Sequence, residues 1–236
     1  VPSTPAGSST EHRQIRFERP PGATGVLLVR HGESAAAVEG QSFDLVDGHG
    51  DPPLHPDGRM QAERVGERLA EENIAALYVT TLRRTAETAA PLAARLGLTP
   101  TVEADLREVH LGEWEGGEFR VRVREGHPLA VRMMEEERWD VIPGAEPKAT
   151  FEGRVRRGLL TVAAAHPDQL VAVFTHGGVI GAALSMATGA RPFAFSGADN
   201  ASISHLVITS DRWVLRRFND TCHLGAGLSA SARPLS

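Results

Sequence analysis

A single cysteine, Cys222, stands in a chain of 236 residues. That excludes an intrachain disulfide and any zinc site built on cysteine thiolates. Its expected state is a packed or half-exposed thiol without chemistry. No run of about 18 or more apolar residues occurs, so hydropathy offers no transmembrane helix. Basic charge is not in excess. The formal net charge is -5 and the sequence pI is near 6.1. These values argue against a nucleic-acid backbone or an anionic membrane as the main partner. They leave a small anionic substrate open, because a few local arginines override the global sign. The stretch from Val1 to Thr10 lacks the basic start and apolar core of a secretory signal, and the expectation is a cytoplasmic protein.

What is present suits one α/β domain with insertions: 41% of residues are hydrophobic and 23% charged. Residues 1–23 and 225–236, rich in small and polar types, are expected to be flexible tails around a domain at 24–224. Gly25 to His31 is a run of β-branched and aliphatic residues, the pattern of a strand covered on both faces. Glu33 to Pro53 reads as loop. Pro56 fits the first turn of a helix reaching about Glu72, with Met60, Val65 and Leu69 near one face.

A strand at Ile74–Val79 precedes a helix at Leu82–Leu96, which Gly97 would stop, and a short strand spans 100–103. Residues 105–147 are irregular, with helical pieces in 118–138 interrupted near Gly126 and Pro128. A helix at Thr150–Ala165, a strand at Leu170–Thr175 and an apolar helix at Gly177–Thr188 follow. Two strands, Ala201–Ile208 and Trp213–Phe218, are joined by a hairpin turn. The alternation predicts an α/β three-layer sandwich, a mostly parallel central sheet with helices on both faces.

Two of the buried-type strands end alike, in Arg30-His31-Gly32 and Thr175-His176-Gly177-Gly178. Ligands of open α/β sheets bind outside the carboxyl ends of the strands. If the two strands are neighbours, His31 and His176 meet over one pocket. The second glycine pair opens a helix, whose free amides favour an anion. One histidine after a strand is more often a cap or core residue; two such ends, one with Arg30, favour chemistry. Arg84 falls in the first turn of a helix after a strand and points the same way, where a guanidinium fork matches phosphate oxygens. On spacing alone, a solvated helix charge is at least as good a reading of Arg84, and a better one of Arg83. Glu108 lies near Glu113 and Glu115, and spacing does not choose among them.

In order along the chain, Arg30-His31-Gly32-Glu33-Ser34, Leu54 to Ala62, Arg84 to Ala89, Glu108 with Gly112 to Gly116, and Thr175 to Ile180 resemble the motifs of the histidine phosphatase superfamily. That superfamily also contains the phosphoglycerate mutases. The likeness spans about residues 25–224, and Phe218 to Thr221 with His223-Leu224 is similar to the ending of phosphatase-type members. The resemblance implies a phosphoglycerate mutase-like fold and a phosphatase of small phosphomonoesters that needs no metal or cofactor. His31 would be the phosphorylated nucleophile. Arg30, Arg84 and a cationic His176 would surround the phosphoryl group, with Ser34 and the Gly177 backbone beside it. Glu108 would be the proton donor.

The chain departs from the family pattern at three places. Ala37 stands where Asn is frequent, His55 where Thr is usual, and Thr80-Thr81 where Ser-Pro is common; the last reads as a minor change. Phe43 to Gly48 lacks the mutase stretch after the first motif, which favours a phosphatase over a mutase. Residues 112–147 form the expected cap that sets the substrate. In it Arg120, Arg122, Arg124 and Arg132 read better as a solvated basic face paired with Glu135, Glu136 and Glu137 than as anion ligands, and Trp114 and Trp139 read as packing residues. Two other classes stand beside the phosphatase: a metal hydrolase using His31, His176, Glu108 and His110, and a pseudophosphatase binding a phosphorylated partner. Family members often pair through sheet edges, so a homodimer stays open.

Overall fold

The computed structural model describes residues 14–225; of the tails expected at 1–23 and 225–236, residues 1–13 and 226–236 lie outside the described residues. Strand β1 (Thr24–Arg30) is buried at six of its seven positions. It is followed by β2 (Leu45–Val46), β3 (His49–Gly50), helix α1 (Pro56–Leu69), β4 (Ile74–Val79), α2 (Arg83–Leu96) and β5 (Thr101–Val102). Then come two short cap helices, α3 (Glu118–Arg124) and α4 (Pro128–Glu136), and the long α5 (Lys148–Ala165). The chain ends with β6 (Leu170–Thr175), α6 (Gly177–Thr188) and the hairpin β7 (Ile203–Ile208) and β8 (Trp213–Asp220).

The main sheet runs β5-β4-β6-β1-β7-β8. Strands β5, β4, β6 and β1 are parallel, and β7 and β8 extend the sheet antiparallel beyond β1, with β8 at the edge. Alternating residues of the central strands serve two cores. Val26, Leu28, Val171 and Val173 pack under α5 and α6. Leu27, Val29, Ala172 and Phe174 pack under α1 and α2. The three-layer α/β expectation is the observed architecture. A third, separate cluster around Trp114, Met133 and Ile142 holds the cap together, and Trp139 packs against it.

Element ends follow the local chemistry. His55 caps α1, its side chain accepting from the Asp57 amide, and Pro56 fills the first helical position. Gly97 closes α2 in the left-handed region at φ 65°. Two expectations need correction. Met60 is 60% exposed, whereas Val65 and Leu69 are buried; the apolar stripe of α1 starts later than read. The segment 33–53 is not all loop, because β2 and β3 pair across Asp47-Gly48. Both turn residues have positive φ, 48° and 81°, and Asp-Gly is the preferred sequence for such a turn. That signal was present in the sequence and was short enough to overlook. Residues 14–22 are exposed or nearly so, and Arg19 ties them to the carbonyls of Asp168 and Gln169 just before β6.

Candidate active site

Strands β1 and β6 are parallel neighbours with Arg30 opposite Thr175. The next residue of each, His31 and His176, therefore lies beside the other, with ring centroids 5.3 Å apart. The His31 amide donates to the Thr175 carbonyl at 2.9 Å, continuing the ladder one residue past the strand. On the other side of β6, β4 delivers Thr80, and α2 begins three residues later with Arg83 and Arg84. His31, His176, Arg84 and Ser34 are all buried.

Each histidine is oriented through one ring nitrogen. His31 Nδ1 lies 2.7 Å from the Gly32 carbonyl. A carbonyl only accepts, so Nδ1 carries the proton and Nε2 keeps its lone pair. Burial, with the charges of Arg84 and Arg30, pushes the His31 pKa well below the ordinary 6.5. His31 is thus neutral at pH 7, the form a nucleophile needs. His176 Nε2 lies 2.9 Å from Thr80 Oγ1, and its Nδ1 is buried without a hydrogen-bond partner among the described residues. Thr80 Oγ1 also lies 3.2 Å from the Thr85 hydroxyl, which donates to the Leu82 carbonyl, so the His176 ring is held at the head of a chain of two threonine hydroxyls. Burial, Arg84 and His31 push His176 well below 6.5 too. In the free protein the His176 ring is therefore neutral at pH 7.

Thr80, read from sequence as a minor replacement, is the side chain that holds the His176 ring in place. Thr80→Val should lower kcat roughly 10- to 100-fold, the cost of an unsatisfied buried nitrogen. Thr80→Ser should retain most activity. Steady-state kinetics on both variants checks this, and equal losses in the two would remove the hydroxyl from the argument.

The arginines are held by backbone. Arg30 Nη1 donates to the Ala198 carbonyl at 2.6 Å, while its Nε is buried with no hydrogen-bond partner among the described residues. Arg84 Nη1 donates to the Gly50 carbonyl at 2.9 Å. Burial lowers the Arg84 pKa to about 10, against the pull of Glu108, so it remains a cation at neutral pH. Arg83 turns instead to Asp51, on its carbonyl and carboxylate. Among the carboxylates that spacing left open, Glu113 is exposed. Glu115 is occupied by the amides of Gly50 and Leu111. Glu108 reaches the pocket, accepting from the Val109 amide at 2.9 Å and the Gly178 amide at 3.2 Å. A β-carbon on Gly178 would lie 2.5 Å from Glu108 Oε1, which explains the second glycine of that motif. Gly177 opens α6 behind its cap His176, and a β-carbon there would sit 3.4 Å from Arg30 Nε.

Glycines also set the floor. A β-carbon on Gly32 would lie 2.5 Å from the Gly58 carbonyl oxygen, and one on Gly58 would collide with the Glu33 carbonyl. The loop after His31 and the start of α1 are therefore in backbone-to-backbone contact.

His110 does not join His31 and His176. It packs edge-on against His49, with centroids 5.0 Å apart, and its Nδ1 accepts from the Gly112 amide. Among the described residues, the His/Asp/Glu group spaced to hold a metal is Glu33, His55 and Asp57, not the set weighed for a metal hydrolase.

Two further features escaped the sequence. Arg154 of α5 forks onto Glu146, at 2.8 and 2.7 Å, and donates to the carbonyls of Asp105 and Glu108. It thereby anchors the backbone that carries Glu108. Arg120 of α3 donates to Ser34 Oγ at 2.6 Å and to the Ala35 carbonyl at 2.8 Å. The expectation of a solvated Arg120 is corrected, whereas Arg122 and Arg132 do pair with acids of their own helices. Those partners are Glu118, Glu125 and Glu136 rather than the whole of the expected acidic run.

The family model of the histidine phosphatase superfamily (branch 1) matches residues 26–221. The chain belongs to that superfamily. This histidine phosphatase is an enzyme, and it is 34% identical over 206 residues to phosphoglycerate mutase-like protein 4 of Arabidopsis thaliana, covering 84% of this chain and 86% of the relative. It is 32% identical over 203 residues to phosphoserine phosphatase 1 of Hydrogenobacter thermophilus, covering 85% and 94%. Among solved structures, a mycobacterial glucosyl-3-phosphoglycerate phosphatase superposes with a TM-score of 0.70 at 26% identity, over 84% of this chain and 100% of that one. No helix of the described residues is long and apolar enough to cross a membrane.

Proposed function

We propose that this histidine phosphatase hydrolyses phosphomonoesters of a small molecule through a phosphohistidine on His31, without a metal. The observation that carries the reading is the His31 ring: buried, neutral, its Nδ1–H spent on Gly32 and its Nε2 lone pair free among guanidinium groups. In the first step Nε2 attacks phosphorus, the P–O bond to the alcohol breaks, and the leaving oxygen takes a proton from Glu108. In the second, the Glu108 carboxylate takes a proton from water. The water oxygen attacks phosphorus, the P–N bond breaks, and its electron pair returns to Nε2. Inorganic phosphate leaves. Charge on the equatorial oxygens meets Arg30, Arg84 and His176, with Ser34 and the Gly177 amide at the edge. Arg30 Nε and His176 Nδ1, without partners among the described residues, suit that ligand.

The phosphatase names of relatives support a small phosphorylated substrate: phosphoserine phosphatase 1 and, at 30% identity over 196 residues, a glucosyl-3-phosphoglycerate phosphatase of Mycobacterium tuberculosis. A mutase-type transfer shares the first step and is favoured by the mutase-like name of the 34% relative. The two differ in product. The purified protein, with EDTA present, is screened against sugar phosphates, phosphoglycerates, phosphoamino acids, nucleotides and phosphopeptides. The expected result is release of inorganic phosphate and an acid-labile phosphoryl group trapped on His31. Loss of turnover on adding EDTA, or turnover without label on His31, would overturn the mechanism. Phosphoryl transfer to a second acceptor in place of inorganic phosphate would decide for the mutase.

A further inference from the structure

Three arginines near His31 are tied to neutral acceptors rather than to carboxylates. Arg30 donates to the Ala198 carbonyl, Arg84 to the Gly50 carbonyl, and Arg120 to Ser34 Oγ and the Ala35 carbonyl. Arg154, the buried arginine away from His31, has its acid partner Glu146 instead. Like charges gathered in a partly desolvated site repel unless an anion joins them. Arg30 and Arg84 come from the sheet side. Arg120 comes from the cap.

How Arg120 arrives is written in the contact beneath it. Gly117, at φ 108°, precedes α3. A β-carbon on it would lie 3.2 Å from the Ala37 methyl and 3.0 Å from the Phe43 ring. The Gly116 carbonyl accepts from the Phe43 amide at 2.9 Å, and the Arg120 guanidinium lies 5.9 Å over the Phe43 ring. The loop after His31 and the start of the cap are therefore pressed together at residues without bulk. A longer side chain at 37 would push Gly117 outward and draw Arg120 off Ser34. The small side chain of Ala37 leaves room for Gly117, and with it for the approach of Arg120 to Ser34.

We propose that Arg120 is a substrate-positioning residue of this enzyme: it brings a third guanidinium from the cap to the phosphoryl pocket and orients Ser34, in place of the polar side chain absent at Ala37. The assignment rests on the phosphatase reading, but its test does not need turnover. Binding of inorganic phosphate is measured by titration calorimetry on the full chain and on Arg120→Gln, Arg120→Lys, Ala37→Asn and Arg122→Gln, with thermal unfolding as the check on folding.

Arg120→Gln should weaken phosphate binding about 10-fold or more, through loss of a charge-assisted contact. Arg120→Lys should not rescue it, because an ammonium cannot span Ser34 and Ala35 as a planar fork does. Arg122→Gln should bind as the parent does. Ala37→Asn, which restores the frequent family residue, should also weaken binding. With a turnover substrate, Arg120→Gln should raise KM more than it lowers kcat. Parent-like phosphate affinity in a folded Arg120→Gln, full rescue by lysine, or tighter binding in Ala37→Asn would each overturn the proposal. A merely structural role would lower the melting temperature and leave the affinity unchanged. Arg120-dependent phosphate binding in a protein that never forms a phosphohistidine would sink the catalytic reading and leave this one standing.

Discussion

Replacing His31 by alanine or asparagine is expected to abolish turnover, with kcat falling by ~10⁴-fold or more, the scale on which loss of a nucleophile is felt. No neighbour can take its place. His176 is the nearest imidazole, but its Nε2 is engaged with Thr80. The variant should still bind inorganic phosphate, because Arg30 and Arg84 are anchored independently on the Ala198 and Gly50 carbonyls. The same side chain predicts the pH behaviour. Its pKa is depressed in the fold, first by burial and then by Arg84 and Arg30, so the acid limb of kcat/KM that belongs to His31 lies well below pH 6.5.

Stability follows with the same sign. Below 6.5 the unfolded chain takes up a proton on His31 that the native state refuses, and native stability falls as the pH drops toward the folded pKa. Removing the imidazole removes that slope. His31→Ala should therefore lose less melting temperature than the parent between pH 7 and pH 5. Undiminished kcat in the variant would refute the nucleophile, and an unchanged pH slope of stability would refute the neutral buried ring.

Arg154→Met is expected to cost about 3–5 kcal/mol, because it strands the Glu146 carboxylate in a buried site. The pair's side chains are 12% and 11% exposed. For a domain of this size that corresponds to a fall in melting temperature of roughly 6–20 °C. Burial alone would raise the Glu146 pKa. The hydrogen bonds and charge of Arg154, with the His110 amide, hold it below its ordinary value. Its stabilising contribution is present above the unfolded carboxyl pKa and is lost as the pH falls through the folded one. Arg154 also donates to the carbonyls of Asp105 and Glu108, so the variant should lose kcat as well. Adding Glu146→Leu to Arg154→Met should recover most of the stability, since no lone charge remains, but not the kcat. Thermal unfolding and kinetics on the single and double variants separate the two effects. Recovery of both together would show that Arg154 acts through stability alone.

The sheet was legible because its central strands are continuous aliphatic runs, and a strand buried on both faces has few other ways to read. His31 and His176 were legible as matched strand ends. Arg84 and Glu108 were not. Their meaning came from resemblance, and what distinguishes them physically is that Glu113 is exposed while Glu115 and Arg83 are engaged by other partners. Thr80 looked interchangeable because its role lies in one hydrogen bond to a residue 96 positions away. Arg120 sits in an alternation of arginine and valine whose register gives no hint of which guanidinium turns inward; its partners, Ala35 and Ser34, lie 85 and 86 positions away. Glu146 and Arg154 are joined across the junction of cap and helix, where no periodicity operates.

The close approaches of Gly32 to Gly58, and of Gly58 to Glu33, bear on how this enzyme can change. At both positions the obstructing atoms are main-chain oxygens, which cannot repack around a new side chain as a flexible neighbour would. In a library selected for new substrates, those two codons should return glycine alone, while accepted diversity accumulates in the cap. A floor made of main chain against main chain is the part such a selection should leave unchanged.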